Sequence, residues 1–133
     1  MRIGFAALCC ILAAAKPGLR GEAEQAAPPP PLQEFLCILN LDTRYHPEEA
    51  WTKQDSEAVS AHFKRLKEAA STGRVILAGK TSEPNDKTIG IVLLRAPGAE
   101  EADAFIREDP AVAAGIMKYE LRPIRIVIKE PAR

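Results

Sequence analysis

The chain has 133 residues, 47% apolar and 27% charged, which suits one soluble domain and excludes a multidomain architecture. Eighteen Lys and Arg balance eighteen Asp and Glu, so no net field draws the protein onto a phosphate backbone or an anionic membrane surface. Neither nucleic acid nor a stable membrane anchor is expected among its partners.

Residues 3–15 form an unbroken apolar or small run behind Met1-Arg2, and Ala13-x-Ala15 offers the small pair that a signal peptidase reads. The run is shorter than the roughly 20 residues that cross a bilayer, and Lys16-Pro17-Gly18 breaks it. Residues 1–15 are therefore expected to be a signal peptide, which makes the mature chain secreted or periplasmic; a misassigned start site would make it cytoplasmic. Residues 16–33 are Ala-rich and contain four consecutive prolines at 28–31, the composition of a stiff linker. The folded domain is expected over 34–129, with a tail at 130–133. Without the signal peptide Cys37 is the single cysteine, so no disulfide forms within the chain, and stability rests on the core or on oligomerisation.

Residues 35–41 predict a strand apolar on both faces, with Phe35, Cys37, Leu39 and Leu41 on one and Leu36 and Ile38 on the other. A loop with Arg44, Tyr45, His46 and Trp51 follows. Thr52-x-x-Asp55 is a capping box that opens a helix to about Thr72, closed by Gly73. Its apolar stripe is Val59, Phe63, Leu66, Ala69 and Ala70, while Glu57, Lys64, Arg65, Lys67 and Glu68 face water. Residues 75–79 predict a second strand, 82–87 a turn, and 88–96 a third strand, again apolar on both faces. A helix begins near Ala99 with Ala102, Phe105 and Ile106 inward, and Asp109-Pro110 caps a short extra helix that stops at Gly115. In the last strand apolar parity is odd at Met117, Tyr119 and Leu121 and even at Ile124, Ile126 and Ile128, which predicts a bulge or bend at Arg122-Pro123.

The order βαββαβ is a ferredoxin-like α+β arrangement. Two helices cover one face of a four-stranded sheet, yet two strands are apolar on both. A homodimer packed sheet to sheet would cover the second face, with an apolar cavity between sheet and loops.

Four stretches carry a family resemblance: FLCILNL at 35–41, AHFKRLKEAASTGRVILAGKT at 61–81, TIGIVLLRA at 88–96, and above all EDPAVAAGIMKYELRPIRI at 108–126. In these the chain resembles the YCII-related domain family, whose members are dimeric α+β barrels. The resemblance implies a functional pair formed by the first-helix histidine, here His62, and the aspartate of the DP motif, here Asp109. It also implies a small-molecule substrate, because some relatives are cofactor-free enzymes acting on chlorinated hydroxyquinols. Where many members have Pro after the Ala-Gly dipeptide, this chain has Lys80.

His62 lies three residues after Val59 and four before Leu66, at the border of the apolar stripe. It is either a general acid or base or a half-buried helix histidine bonded to a carbonyl. Asp109 before Pro110 is an N-cap, a role compatible with orienting His62 because a carboxylate has two oxygens. Arg44 is a candidate for pairing with a substrate anion and Trp51 for stacking on a ring, or else Trp51 pins the loop and Arg44 is solvated. Lys80, Tyr119 and Arg122 are further substrate-binding candidates, and His46 reads as an exposed loop residue. Cys37 reads as apolar filler. Two histidines and one core cysteine give no metal-ligand spacing, and no glycine-rich nucleotide loop or GxSxG is present, so neither a metal nor a cofactor is expected. The expected function is acid–base chemistry of the lyase or isomerase kind on a small aromatic or enol-forming molecule: isomerisation, elimination or dehydrochlorination. The alternative is a non-catalytic small-molecule-binding or assembly module.

Overall fold

Four segments alternate or run apolar in the way a half-buried or buried strand requires, and all four join one sheet. A computed structural model describes residues 28–84 and 86–129; the expected signal peptide, residues 16–27 of the linker and the tail at 130–133 lie outside the described residues. The elements are β1 (Gln33–Leu41), α1 (Lys53–Ser71), β2 (Val75–Lys80), β3 (Ile89–Ala96), α2 (Ala99–Arg107), the one-turn α3 (Pro110–Ala113) and β4 (Met117–Ile124), with short 3-10 turns at Thr43–Tyr45 and Glu48–Ala50 between β1 and α1. The sheet is antiparallel in the order β2-β3-β1-β4. This is the ferredoxin-like α+β topology, with α3 added ahead of the last strand.

The capping box opens α1: the Thr52 hydroxyl accepts from the Asp55 N–H at 3.2 Å, and the Asp55 carboxylate accepts from the Thr52 N–H at 2.9 Å. Gly73 ends the helix at φ 76°, where a residue with a Cβ is strained. Phe35, Cys37 and Leu39 of β1 and Val92, Leu94 and Ala96 of β3 are buried under the helices. Leu66 and Ala69 from α1 and Ala102, Phe105 and Ile106 from α2 complete the core. Phe105 lies between two guanidiniums, those of Arg65 and Arg74, each 4.2 Å from its ring centre.

The opposite face carries Leu36, Ile38, Ile91 and Leu93, half-buried at the middle of the sheet. On β4 the residues of that face, Lys118, Glu120 and Arg122, are exposed and charged, so the apolar strip is bounded on one side by charge.

Three expectations are corrected. The last strand has no bulge: β4 pairs with β1 without a shift from Leu41↔Met117 to Glu34↔Ile124, through Arg122 and Pro123. An edge strand accommodates proline because an outward-facing N–H position has no ladder partner to lose. The register irregularity lies instead in β2, between Val75 and Leu77. The strand ends at Ile124, so Ile126 and Ile128 lie past it and carry no strand parity, with Ile128 90% exposed. On α1, Phe63 is 58% exposed and His62 only 4%, because the buried row is His62, Leu66 and Ala69, at i, i+4 and i+7. Phe63, Lys67 and Ala70 form the adjacent row.

Leu94 is wholly buried on a central strand, so Leu94→Ala should cost about 2–5 kcal/mol through lost burial and a residual cavity. Chemical denaturation measures this, and a loss below about 1 kcal/mol would contradict the core described here.

Candidate functional site

His62 and Asp109 come from elements 47 residues apart and meet inside the protein. His62 sits in the third turn of α1, first in its buried row, and Asp109 is the N-cap of α3, accepting from the Ala111 N–H at 3.0 Å. His62 Nδ1 lies 2.9 Å from each Asp109 carboxylate oxygen. Both side chains are about 5% exposed or less. A carboxylate that already accepts from a backbone N–H is an acceptor towards the ring as well, which assigns the hydrogen to Nδ1 and leaves Nε2 as the reactive position. Nε2 has no protein partner, yet no buried side-chain nitrogen or oxygen is unpaired among the described residues. Nε2 is therefore reached by solvent, and the space it opens on is a cavity.

That cavity has a volume of about 590 Å³ and lies between α1 and the β2–β3 half of the sheet. Its apolar wall includes Leu39, Val59, Leu66 and Val92, and its rim includes Trp51, Phe63, Lys67 and Lys80. Missing bulk creates the space. Lys80 pairs with Gly90 across β2 and β3, and Gly90 with Leu39 across β3 and β1. A Cβ at Gly90 would stand 3.1 Å from the Leu39 Cβ, and the small Ala78 and Ala70 line the cavity too.

Arg65 is a neighbour of the pair that its sequence position disguised. Expected to face water, it lies three residues after His62 on the same side of α1. It stacks on Phe105, donates to the Phe105 carbonyl, and approaches Asp109 at 3.9 Å and Glu108 at 3.5 Å. Cys37 is wholly buried, and burial, with the charge of Asp109 adding to it, pushes its thiol up to about 12. It therefore stays a thiol at any ordinary pH.

The sequence-predicted binding residues divide. Trp51 and Lys80 line the cavity. Trp51 also holds its loop together: its Nε1–H donates to the Tyr45 carbonyl at 2.9 Å and the two rings lie 5.2 Å apart. Arg44, Tyr119 and Arg122 do not line the cavity. Arg44 donates to Asp42 at 2.9 Å and to the Gly115 carbonyl at 3.1 Å. Tyr119 donates to Asp103 at 2.6 Å, and Arg122 pairs with Glu120 on the opposite sheet face. His46 is half-buried rather than exposed. Lys67 is exposed, as expected, and also lines the rim of the cavity; its alignment with Phe63 and Ala70, both in the predicted apolar stripe, was the available signal for the second role. Among the described residues no three His, Cys, Asp or Glu side chains converge as metal ligands would.

The loop beside the cavity is held by charge. Asp42, buried at the end of β1, accepts from Lys118 Nζ at 2.9 Å as well as from Arg44. Lys118 first and Arg44 second hold its carboxyl well below the ordinary 3.8.

The fold and the site together define a ferredoxin-like α+β domain with a buried His–Asp pair opening on an apolar cavity. The YCII-related domain family model matches residues 36–125, and the chain belongs to that family. Among solved structures it is similar to a 5-chloro-2-hydroxyhydroquinone dehydrochlorinase from Burkholderia phenoliruptrix AC1100, in complex with 2,5-dihydroxybenzoquinone, at 16% identity and TM-score 0.53, over 69% of this chain and 93% of that one. A protein of unknown function from Bacteroides thetaiotaomicron VPI-5482, described as a possible oxidoreductase, aligns at 14% identity and TM-score 0.37, over 70% of this chain and 97% of that one. No curated protein matches the chain. At 16% identity the likeness to the dehydrochlorinase is one of fold.

Because the folded pKa of Asp42 is depressed, its contribution to stability is present above about pH 3.8 and is lost as pH falls towards the lower folded value. Asp42→Asn should lower stability at neutral pH and flatten the acid-side decline. Urea melts between pH 2 and pH 7 test this, and parallel curves for the two proteins would refute it.

Proposed function

We propose that this YCII-family domain is an acid–base enzyme for a small aromatic or enol-forming molecule, with His62 as the proton-transferring residue and Asp109 as its positioning residue. The observation that carries this reading is the pairing of His62 Nδ1 with both Asp109 oxygens while Nε2 opens on the 590 Å³ cavity. Nε2 would take a proton from a C–H or O–H of the substrate, leaving the electron pair delocalised as an enolate or phenolate. Return of the proton to another atom is isomerisation; departure of a neighbouring anion is elimination. The imidazolium formed would face the Asp109 carboxylate, which stabilises it and fixes the ring. The dehydrochlorinase of similar fold is in keeping with the elimination branch.

A ligand-binding module without turnover is the competing reading, favoured by the complete use of Asp109 as cap of α3 and tether of α1. Turnover separates the two. Hydroxyquinols, quinones and enol lactones are offered to the protein in D2O, with deuterium incorporation followed by NMR and conversion by absorbance. His62→Ala should lower the rate by about 10²- to 10⁴-fold, the usual contribution of a general acid or base, and Asp109→Asn should lower it less. Unaltered rates in His62→Ala would overturn the proposal, and binding without exchange or conversion would establish the module.

We further propose that a second copy covers the strip of Leu36, Ile38, Ile91 and Leu93, since an apolar sheet face left to water is unfavourable. Sedimentation should give a dimer, and Ile38→Glu a monomer that keeps the His62–Asp109 contact. A monomeric wild-type protein at micromolar concentration would contradict it.

A further inference from the structure

The charges around the cavity do not sample the chain evenly. The whole sequence has equal numbers of acidic and basic residues, but among the described residues the charged side chains lining the cavity are Lys67 and Lys80, with no Asp or Glu beside them. Neither lysine has an ion-pair or hydrogen-bond partner among the described residues. Elsewhere on α1, Lys53 and Lys64 each have a glutamate four residues ahead, at 3.7 and 4.0 Å; Lys67 has Ser71 at that spacing. The strand register fixes Lys80 in the row of Gly90 and Leu39, on the face that α1 covers. The two cations thus stand on the helix wall and the sheet wall of one apolar chamber, with His62 on the same chamber.

From this arrangement we infer that the cavity selects an anion with a flat apolar body, a carboxylate or phenolate on a single ring, with Lys67 and Lys80 as the residues that determine that preference. This rests on the cavity being the ligand site, as the proposed function also does. The apolar wall supplies burial for the ring, and two ammonium groups at the rim, where water still reaches them, supply a modest charge preference. An exposed ion pair contributes on the order of 0.2–1 kcal/mol. Two together favour the anion over a neutral isostere by about ten-fold. An unpaired lysine beside an apolar chamber is also pre-organised for the task, since no internal carboxylate has to be displaced when a ligand arrives.

Titration of the full chain with 4-hydroxybenzoate and its methyl ester tests the inference, with calorimetry for affinity and the His62 imidazole NMR signals to locate the ligand. The wild-type protein should bind the acid about ten-fold more tightly than the ester and shift the His62 signals. In the Lys67→Gln/Lys80→Gln double variant the preference should fall to about two-fold or less, with the single variants between and the ester affinity unchanged. Both lysines are exposed, so the variants should fold, and thermal melts check that. Equal affinities in the wild-type protein, an acid that leaves the His62 signals unmoved, or a preference that survives in the double variant each overturn the inference. Failure of the acid–base reading is seen separately, as unaltered turnover in His62→Ala, so the two can fall independently.

Discussion

One buried contact, His62 Nδ1 against the carboxylate of Asp109, governs the arrangement of the site. Polar groups withdrawn from water cost free energy unless their bonds are replaced, and here each partner satisfies the other. Asp109 is also the cap that lets the chain turn into α3, so the same carboxylate stops one helix end from fraying and aims an imidazole on another helix. Because α3 is a single turn, it has little stability of its own; its position derives from the cap, from buried Ala111 and Ile116, and from Gly115, whose positive φ turns the chain back into β4.

A second carboxylate performs a parallel task at the end of β1. Asp42 gathers Arg44 and Lys118, while Arg44 reaches on to the Gly115 carbonyl. The start of the loop after β1 is thereby fastened to the turn that follows α3. Trp51 and Tyr45 fasten the rest of that loop to itself and, through the Tyr45 hydroxyl and Asp55 at 3.2 Å, to the first turn of α1. The Trp51 ring borders a cavity whose loop wall is thus held by identifiable bonds at both ends.

The architecture was legible in the sequence because its signals are local and strong. Thr52 and Asp55, Gly73, Asp109-Pro110 and Gly115 each mark a boundary by a stereochemical requirement, and the two-sided apolar strands have few alternatives. Parity failed at Arg122-Pro123 because a strand ending and a strand bulging leave the same trace in a pattern of apolar residues. His62 and Asp109 were reached through the family resemblance, since spacing alone equally allowed a structural histidine and an ordinary cap. Arg44 and Tyr119 lie off the cavity lining for a different reason: Asp42 and Asp103 hold them locally, and no periodicity reveals that pairing. Lys67 faces water as its charge suggests, and its place on the cavity rim follows only from the row it shares with Phe63 and Ala70.

The chamber itself is made by residues that contribute almost nothing to it. Gly90, Ala78 and Ala70 leave space where a larger side chain would pack, and the Cβ that Gly90 lacks would already press on Leu39. The size of the chamber and the His62–Asp109 pair are consequently encoded at separate positions. A chain of this fold can keep its His–Asp pair intact while one or two enlarged residues on β2 and β3 fill the chamber, so the presence of the pair and the presence of room for a ligand are independent properties.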